Sequence, residues 1–200
     1  EGFHVDVTTL FPDLTAVSST EFRAAQYESA AGAYLRGLEA FVQRQGDVNP
    51  EELRRRLRRV SSTIAVWVRA VDDQADPHLP PDWQGRYAVA QAKALAELHR
   101  TLMASPRFQE LERQGAPPLR LLWANTRVKT ADRSPFHYIQ ALVGPDTVST
   151  ILPEVLERFD RAGAPRLTLS EGLEEAKETI RAVEGLLQAR SRSWNNAMSS

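Results

Sequence analysis

The residues best suited to chemistry follow an apolar run near the middle of the chain. Leu121-Leu122-Trp123-Ala124 leads directly into Asn125-Thr126-Arg127, and Lys129 lies two residues further on. An amide, a hydroxyl and two cations at the end of a buried strand are suited to holding an anion such as a phosphate. A second apolar run, Tyr138 to Val143, is followed by the turn Gly144-Pro145-Asp146-Thr147. Two successive strands that end in polar residues predict one edge of a barrel active site.

The elements that must position these residues alternate between strands and helices. Apolar and β-branched runs predict strands at 3–11, 63–71, 119–124 and 138–143. Apolar residues at steps of three and four predict helices at 20–44, 50–59, 86–104, 108–114, 153–162 and 170–190. This alternation is typical of an α/β fold with a parallel sheet. No glycine-rich fingerprint follows any predicted strand, so a barrel is favoured over a dinucleotide-binding fold.

The composition is that of an ordinary globular protein. Of 200 residues, 42% are apolar and 26% are charged, which suits one domain or part of a larger one. A net charge of −1 gives no basic field for nucleic acid, and the absence of cysteine excludes disulfides and thiolate chemistry. No apolar run predicts a membrane span or a signal peptide, so we expect a cytoplasmic protein. The first residue is Glu rather than Met, which predicts a processed or truncated chain.

The strand ends resemble those of transaldolases, the Schiff-base aldolases that move a three-carbon ketol unit between sugar phosphates. Trp123-Ala124-Asn125-Thr126 is similar to the family's Trp-Ala-Ser-Thr, and Val143 to Val148 is similar to its Ile-Gly-Pro-Asp-Thr-Val. Residues 27–40 also resemble the helix after the family's fifth strand, and residues 153–159 and 167–172 resemble its C-terminal end. The resemblance implies a (βα) barrel of the transaldolase or TIM type. Residues 1–190 would supply about its C-terminal half, strands five to eight, and 191–200 a polar tail.

The resemblance also implies a chemistry that these residues do not complete. Family members carry the imine-forming lysine on strand four, and an acid/base glutamate and a catalytic aspartate on earlier strands. The sequence has three lysines, Lys93, Lys129 and Lys177. Lys129 alone lies near a predicted strand end, and the resemblance makes it an anion contact on the phosphate side. No cofactor is implied, and the lysine is expected to come from an N-terminal half.

Other site positions are partly retained. Val5-Asp6-Val7-Thr8 stands where the family has Asn-x-Thr, so the resemblance implies that Thr8 orients a catalytic water and that Asp6 replaces a substrate-binding asparagine. Trp67 replaces an aromatic residue that walls the pocket, and Asn125 replaces a serine. The family's phosphate-binding arginine is Ala70 here. The adjacent Arg69 replaces it only if the strand is bulged or the alignment shifts by one, because neighbouring strand residues face opposite sides.

Each of these residues also has an ordinary structural explanation. Asp6 can pair with a cation, Thr8 is common in strands, and Trp67 can fill the core. Arg127 and Lys129 can form a solvated surface pair. The arginine cluster at 54–59 is typical of a solvated helix end. The acidic pair Asp72-Asp73 is typical of a helix N-terminus. The four histidines lack metal-ligand spacing, so no metal site is predicted.

A half barrel would leave open sheet edges, which favour association. The predicted partners are a separate N-terminal half-barrel chain or a second copy of this chain; alternatively the N-terminal half belongs to the same protein outside these residues. We expect a sugar phosphate as the small-molecule partner, with no nucleic acid and no membrane. The main alternative to aldol transfer is a half barrel kept as a non-catalytic binding or assembly module. A repurposed aldolase scaffold in specialised metabolism is a further alternative.

Overall fold

A computed structural model describes residues 8–10, 19–60, 63–163 and 165–198, with side chains for 19–60, 63–163 and 165–192. The strands are β1 (Thr8–Leu10), β2 (Thr63–Trp67), β3 (Arg120–Ala124) and β4 (Thr147–Ser149). The α-helices are α1 (Thr20–Arg44), α2 (Pro50–Leu57), α3 (Arg69–Ala75), α4 (Tyr87–Met103), α5 (Pro106–Arg113), α6 (His137–Ala141), α7 (Pro153–Ala162) and α8 (Leu173–Met198).

The four strands form one parallel sheet in the order β1-β2-β3-β4. Ile64 pairs with Leu121, and Val66 pairs with Trp123. All four side chains are buried in the hydrophobic core, so this face of the sheet packs against the helices. Because side chains alternate along a strand, Ala65 and Leu122 lie on the opposite face. The predicted parallel α/β fold is confirmed.

The long helices begin close to where the sequence predicts them, although α8 continues to Met198 instead of ending at residue 190. Ser19 caps α1 by accepting a hydrogen bond from the Phe22 amide, and Asn49 caps α2 in the same way. Glu184 of α8 joins three helices, since its Oε1 accepts from the Thr20 amide of α1 (2.8 Å) and from the Tyr87 hydroxyl of α4 (2.9 Å). In the described part of the chain, no helix combines the length and apolar character needed to cross a bilayer.

One predicted strand is too long and another is wrong, and both errors concern the site. The run 63–71 leaves the strand after Trp67, and α3 begins at Arg69. Val68, Val71 and Ala75 are buried in this stretch, a spacing that belongs to a helix. Tyr138 to Val143 is also not a strand, because residues 137–141 form α6.

Because 138–143 is not a strand, the Gly144–Thr147 turn lies at the opposite end of the sheet from the one predicted. The turn precedes β4, which begins at Thr147, instead of ending a strand. The Asp146 carbonyl accepts a hydrogen bond from the Leu121 amide at the start of β3 (3.2 Å). The turn therefore lies at the amino end of the sheet, whereas Asn125 lies at the carboxyl end.

The β4 side of the sheet carries unusual apolar exposure. None of the ten residues of α7 is buried, although the helix has an apolar side. Val148 of β4 is 41% exposed and Leu156 of α7 is 51% exposed. Within the described residues, β4 pairs with β3 alone. Exposed apolar residues beside an open strand edge are typical of a surface that another segment covers.

Candidate active site

The carboxyl ends of β2 and β3 stay paired beyond the strands themselves. The Val68 amide donates to the Ala124 carbonyl (3.0 Å), and the Arg69 amide donates to the Asn125 carbonyl (3.2 Å). These bonds place Arg69, the first residue of α3, beside Asn125, the first residue after β3. Polar side chains at the carboxyl ends of parallel strands are the usual place for a binding site in α/β proteins.

Asn125 turns the chain at this point. Its φ of 61° lies in the left-handed region, which asparagine tolerates better than most residues. The next residue, Thr126, is buried, and its hydroxyl donates to the Thr150 carbonyl (2.6 Å). The Thr150 amide in turn donates to the Trp123 carbonyl (2.9 Å). The ends of β3 and β4 are therefore fixed to each other.

A cavity of about 320 Å³ opens between these strand ends; we call it the carboxyl-end cavity. Arg69, Asn125 and Arg127 supply its chemistry, and Ile139 and Val155 are among its apolar walls. Arg69 is 9% exposed, and its Nε is buried without a hydrogen-bond partner among the described residues. The Asn125 Oδ1 is likewise buried and unpartnered there. Both residues line the cavity, although these two atoms are themselves covered by protein in this structure.

Arg69 also borders a second cavity of about 330 Å³, which contains Asp73 and Lys129. The Arg69 Nη1 forms an ion pair with the Asp73 carboxylate, and the Lys129 Nζ lies 3.7 Å from the same carboxylate. Asp73 therefore partly neutralises the two cations. The Lys129 side chain is 64% exposed. A lysine in this position can contact an anion, whereas an imine-forming lysine requires a desolvated site.

A buried polar network supports this side of the site. Asp72 is 1% exposed, and its carboxylate accepts from the Ala88 amide (2.9 Å) and from the Tyr138 hydroxyl (2.8 Å). The Arg133 guanidinium donates to the Tyr138 hydroxyl (3.3 Å) and to Asp76 (3.2 Å). Burial raises the pKa of Asp72 from 3.8 to about 6, although the Ala88 amide bond opposes the shift.

The residues predicted from sequence are only partly brought together. Asn125 and Arg127 line the carboxyl-end cavity, and Lys129 lines the neighbouring one. Trp67 borders neither; it ends β2, and its carbonyl accepts a hydrogen bond from Arg23 (3.2 Å). Thr8 begins β1 and pairs with Ile64, while Asp6 lies outside the described residues.

Strand alternation does not apply to Arg69, because this residue begins a helix. Asp72 and Asp73, which follow it, are a helix N-terminal signal that places the strand end earlier. Within the described residues, no group of three or more carboxylates or histidines is placed to hold a metal ion.

Comparison with known proteins identifies the family. The model of the transaldolase/fructose-6-phosphate aldolase family matches residues 1–197. The chain belongs to this family. The predicted resemblance is thereby confirmed, and the family implies a (βα) barrel, in agreement with the parallel α/β sheet.

The related proteins are bacterial transaldolases. A transaldolase of Neisseria meningitidis is 31% identical over 179 residues, which cover 89% of this chain and 48% of the relative. Transaldolase 2 of Nostoc punctiforme is 34% identical over 190 residues, covering 87% of this chain and 44% of the relative. A transaldolase of Saccharopolyspora erythraea is 33% identical over 159 residues, which cover 77% of this chain and 38% of the relative. The chain thus spans somewhat less than half the length of these relatives.

Proposed function

We propose that this chain takes part in transaldolase-like aldol transfer of a three-carbon ketol unit between sugar phosphates. The observation that carries the proposal is the carboxyl-end cavity, which Arg69, Asn125 and Arg127 line at the carboxyl ends of β2 and β3. A guanidinium is suited to a phosphate, and an amide oxygen is suited to a sugar hydroxyl. Arg69 would thereby bind the phosphate in place of the family's arginine, whose position Ala70 occupies here. Arg127 and Lys129 add positive charge at the rim.

The reaction itself requires residues outside this cavity. Imine formation needs a desolvated lysine, and C–C cleavage needs a carboxylate and a water. We propose that strands one to four of a completed barrel supply the lysine, and that Thr8 and Asp6 on β1 serve the water and the substrate hydroxyls. Trp67, on the face of β2 that it shares with Ala65, would wall the pocket.

Strands one to four of a completed barrel would bind at the β4 side of the sheet. The open edge of β4, the exposed Val148 and the exposed apolar residues of α7 form a surface that a neighbouring strand and helix would cover. We propose that this surface closes onto an N-terminal half barrel, whether that half lies in the same polypeptide or in another chain. Native mass spectrometry of material purified from the host tests this: a second polypeptide of similar size, or a longer single chain, supports it. A monomer of 200 residues contradicts it.

Ligand binding tests the site separately from the reaction. Fructose 6-phosphate should bind the chain more tightly than fructose, and Arg69→Ala should weaken binding of the phosphate ester by about tenfold or more, the effect of losing a charge-assisted hydrogen bond. Arg113→Ala is the matched control, because that side chain is 73% exposed on α5, away from the cavity. Equal binding of fructose and its phosphate would refute the assignment of Arg69.

Borohydride trapping with the same ketose phosphate tests the chemistry. Reduction of the imine should leave a covalent adduct on a lysine of the N-terminal half in the assembled protein. An adduct on Lys129 would overturn the role given to that residue. Binding without any adduct would favour the second candidate, a non-catalytic sugar-phosphate module, which is supported by the exposure of Lys129 and its proximity to Asp73.

A further inference from the structure

Residues 127–132, which we call the cation loop, carry two of the cations of the candidate site. Arg127 lines the carboxyl-end cavity and Lys129 lines the neighbouring one. The loop contains no helix or strand, and all its residues except the half-buried Val128 are exposed. Among the described residues, no backbone–backbone hydrogen bond involves the loop. A segment with so few buried contacts is easily displaced, so its position depends on what holds its two ends.

A hydrogen-bonded side chain holds each end of the cation loop. At the start, the buried hydroxyl of Thr126 donates to the Thr150 carbonyl (2.6 Å). At the end, the Arg133 guanidinium donates through Nη1 to the Tyr138 hydroxyl (3.3 Å) and through Nη2 to Asp76 (3.2 Å). The side chains of Arg133 and Asp76 are only 18% and 19% exposed. Water and salt screen such a partly buried ion pair less than a surface pair.

The surroundings of Arg133 leave space for its guanidinium. The Gly85 amide donates to Oδ1 of Asp76 (2.8 Å), while Arg133 uses Oδ2 of the same carboxylate. The Gly85 carbonyl lies 2.8 Å from the His137 Nε2. A Cβ on Gly85 would overlap the Arg133 guanidinium, and the φ of Gly85 is 76°. The guanidinium therefore packs directly on backbone that a larger residue would cover.

The other contacts of the cation loop hold it less firmly. The Lys129 Nζ lies 3.7 Å from Asp73, and these two side chains are 64% and 45% exposed. Exposed ion pairs of this kind contribute little. Val128 packs against the hydrophobic core, but apolar contact has no preferred direction. The direction of the loop therefore depends mainly on Thr126 and Arg133.

We infer that Arg133 is a positioning residue, which holds Arg127 and Lys129 at the rim where the phosphate of the substrate binds. The inference rests on the proposed function, because that function assigns these two cations to a sugar phosphate. Arg133 does not line the carboxyl-end cavity and acts through the loop. Gly85 and Asp76 support it by shaping and charging the place where the guanidinium lies.

Ligand binding separates positioning from a direct effect of the Arg133 charge. Arg133→Gln should weaken binding of fructose 6-phosphate about fivefold, the effect of one net hydrogen bond, and leave binding of fructose unchanged. When Arg127 and Lys129 are both replaced by glutamine, Arg133→Gln should have no further effect. A further loss in that background would overturn the inference. Arg107→Gln is the control, because it breaks the exposed Arg107–Glu39 ion pair between α5 and α1; an equal loss of phosphate binding there would also overturn it.

The order of the cation loop tests the anchor without a ligand. The ¹⁵N order parameters of residues 127–132 should be about 0.8 in the unmodified protein and in Arg107→Gln, and below about 0.6 in Arg133→Gln. Asp76→Asn breaks the same ion pair from the other side and should reproduce both effects, even if Arg133→Gln does not fold. If the unmodified protein does not prefer fructose 6-phosphate to fructose, the proposed function fails and the phosphate role of the loop fails with it. If that preference exists and both variants leave it and the loop order unchanged, only the role of Arg133 is overturned.

Discussion

The buried carboxylate of Asp72 should make the stability of this protein depend on pH in a way that Asp72→Asn removes. In the folded protein the pKa of Asp72 is about 6 instead of 3.8, chiefly because burial disfavours the charged form. A carboxyl group with a raised pKa stabilises the fold fully below its unfolded pKa. That contribution is lost as the pH rises through the folded pKa.

The size of the effect follows from the shift. One pKa unit corresponds to about 1.4 kcal/mol, so a shift of about two units amounts to about 3 kcal/mol over the whole titration. Most of this, about 2 kcal/mol or more, should be lost between pH 4 and pH 7. An asparagine does not titrate but keeps an oxygen for the Ala88 amide. The free energy of unfolding of the unmodified protein, minus that of Asp72→Asn, should therefore fall by this amount over that range.

Urea unfolding at a series of pH values measures this difference. Tyr138→Phe provides an internal check, because the hydroxyl of Tyr138 donates to Asp72 and lowers its pKa. Removing the hydroxyl should move the pH dependence to higher pH, and adding Asp72→Asn should abolish that movement. A stability difference between the unmodified protein and Asp72→Asn that stays constant from pH 4 to pH 7 would refute the reasoning.

Three further substitutions test local features of the fold by urea unfolding at neutral pH. Ser19→Ala removes the side-chain cap of α1 and should cost about 1 kcal/mol, whereas Ser19→Asp should cost little. Gly85→Ala should cost about 2 kcal/mol or more, because φ is 76° and the new Cβ would lie 2.3 Å from Arg133; a neutral result would contradict the strain argument. Trp123→Phe should cost about 2 kcal/mol, since the indole N–H donates to the buried Leu142 carbonyl (3.0 Å); a loss below about 0.5 kcal/mol would mean that this bond contributes little.

The long helices were predictable because their signals are local, whereas the short α3 and α6 were predicted as strands. Ser19 and Asn49 cap α1 and α2, and the apolar steps of α4 appear in the sequence as they do in the structure. The run from 63 to 71 was predicted as a single strand because β2 ends at Trp67 and α3 begins at Arg69, so one residue, the apolar Val68, separates them. Short apolar runs do not distinguish a strand from a buried helix by composition. The helical spacing of Val68, Val71 and Ala75 carries the correct answer.

The site could be predicted only where it follows a strand end. Asn125 and Arg127 were found from the apolar run before them, and they do line one cavity. The Asp72–Tyr138 bond joins residues 66 positions apart, and the His99–Tyr27 bond joins residues 72 apart. No local pattern records such pairs, because they are set by how the helices pack on the sheet.

The carboxyl-end cavity and an amino-end cavity of about 330 Å³, lined by His99 and the Gly144–Thr147 turn, lie at opposite ends of β3, and Trp123 is connected to both. A strand of five residues is roughly 16 Å long, so ligands in the two cavities cannot touch. The Trp123 indole donates to Leu142, the neighbour of Val143 in the amino-end cavity. Its carbonyl accepts from the amide of Thr150 in the carboxyl-end cavity. Substitutions of Arg69 and His99 should therefore have additive effects on stability, because sites this far apart rarely share energy. Trp123→Phe, by contrast, removes the indole bond to Leu142 and leaves the backbone bond to Thr150, so it should disturb the amino end of the sheet more than the carboxyl end.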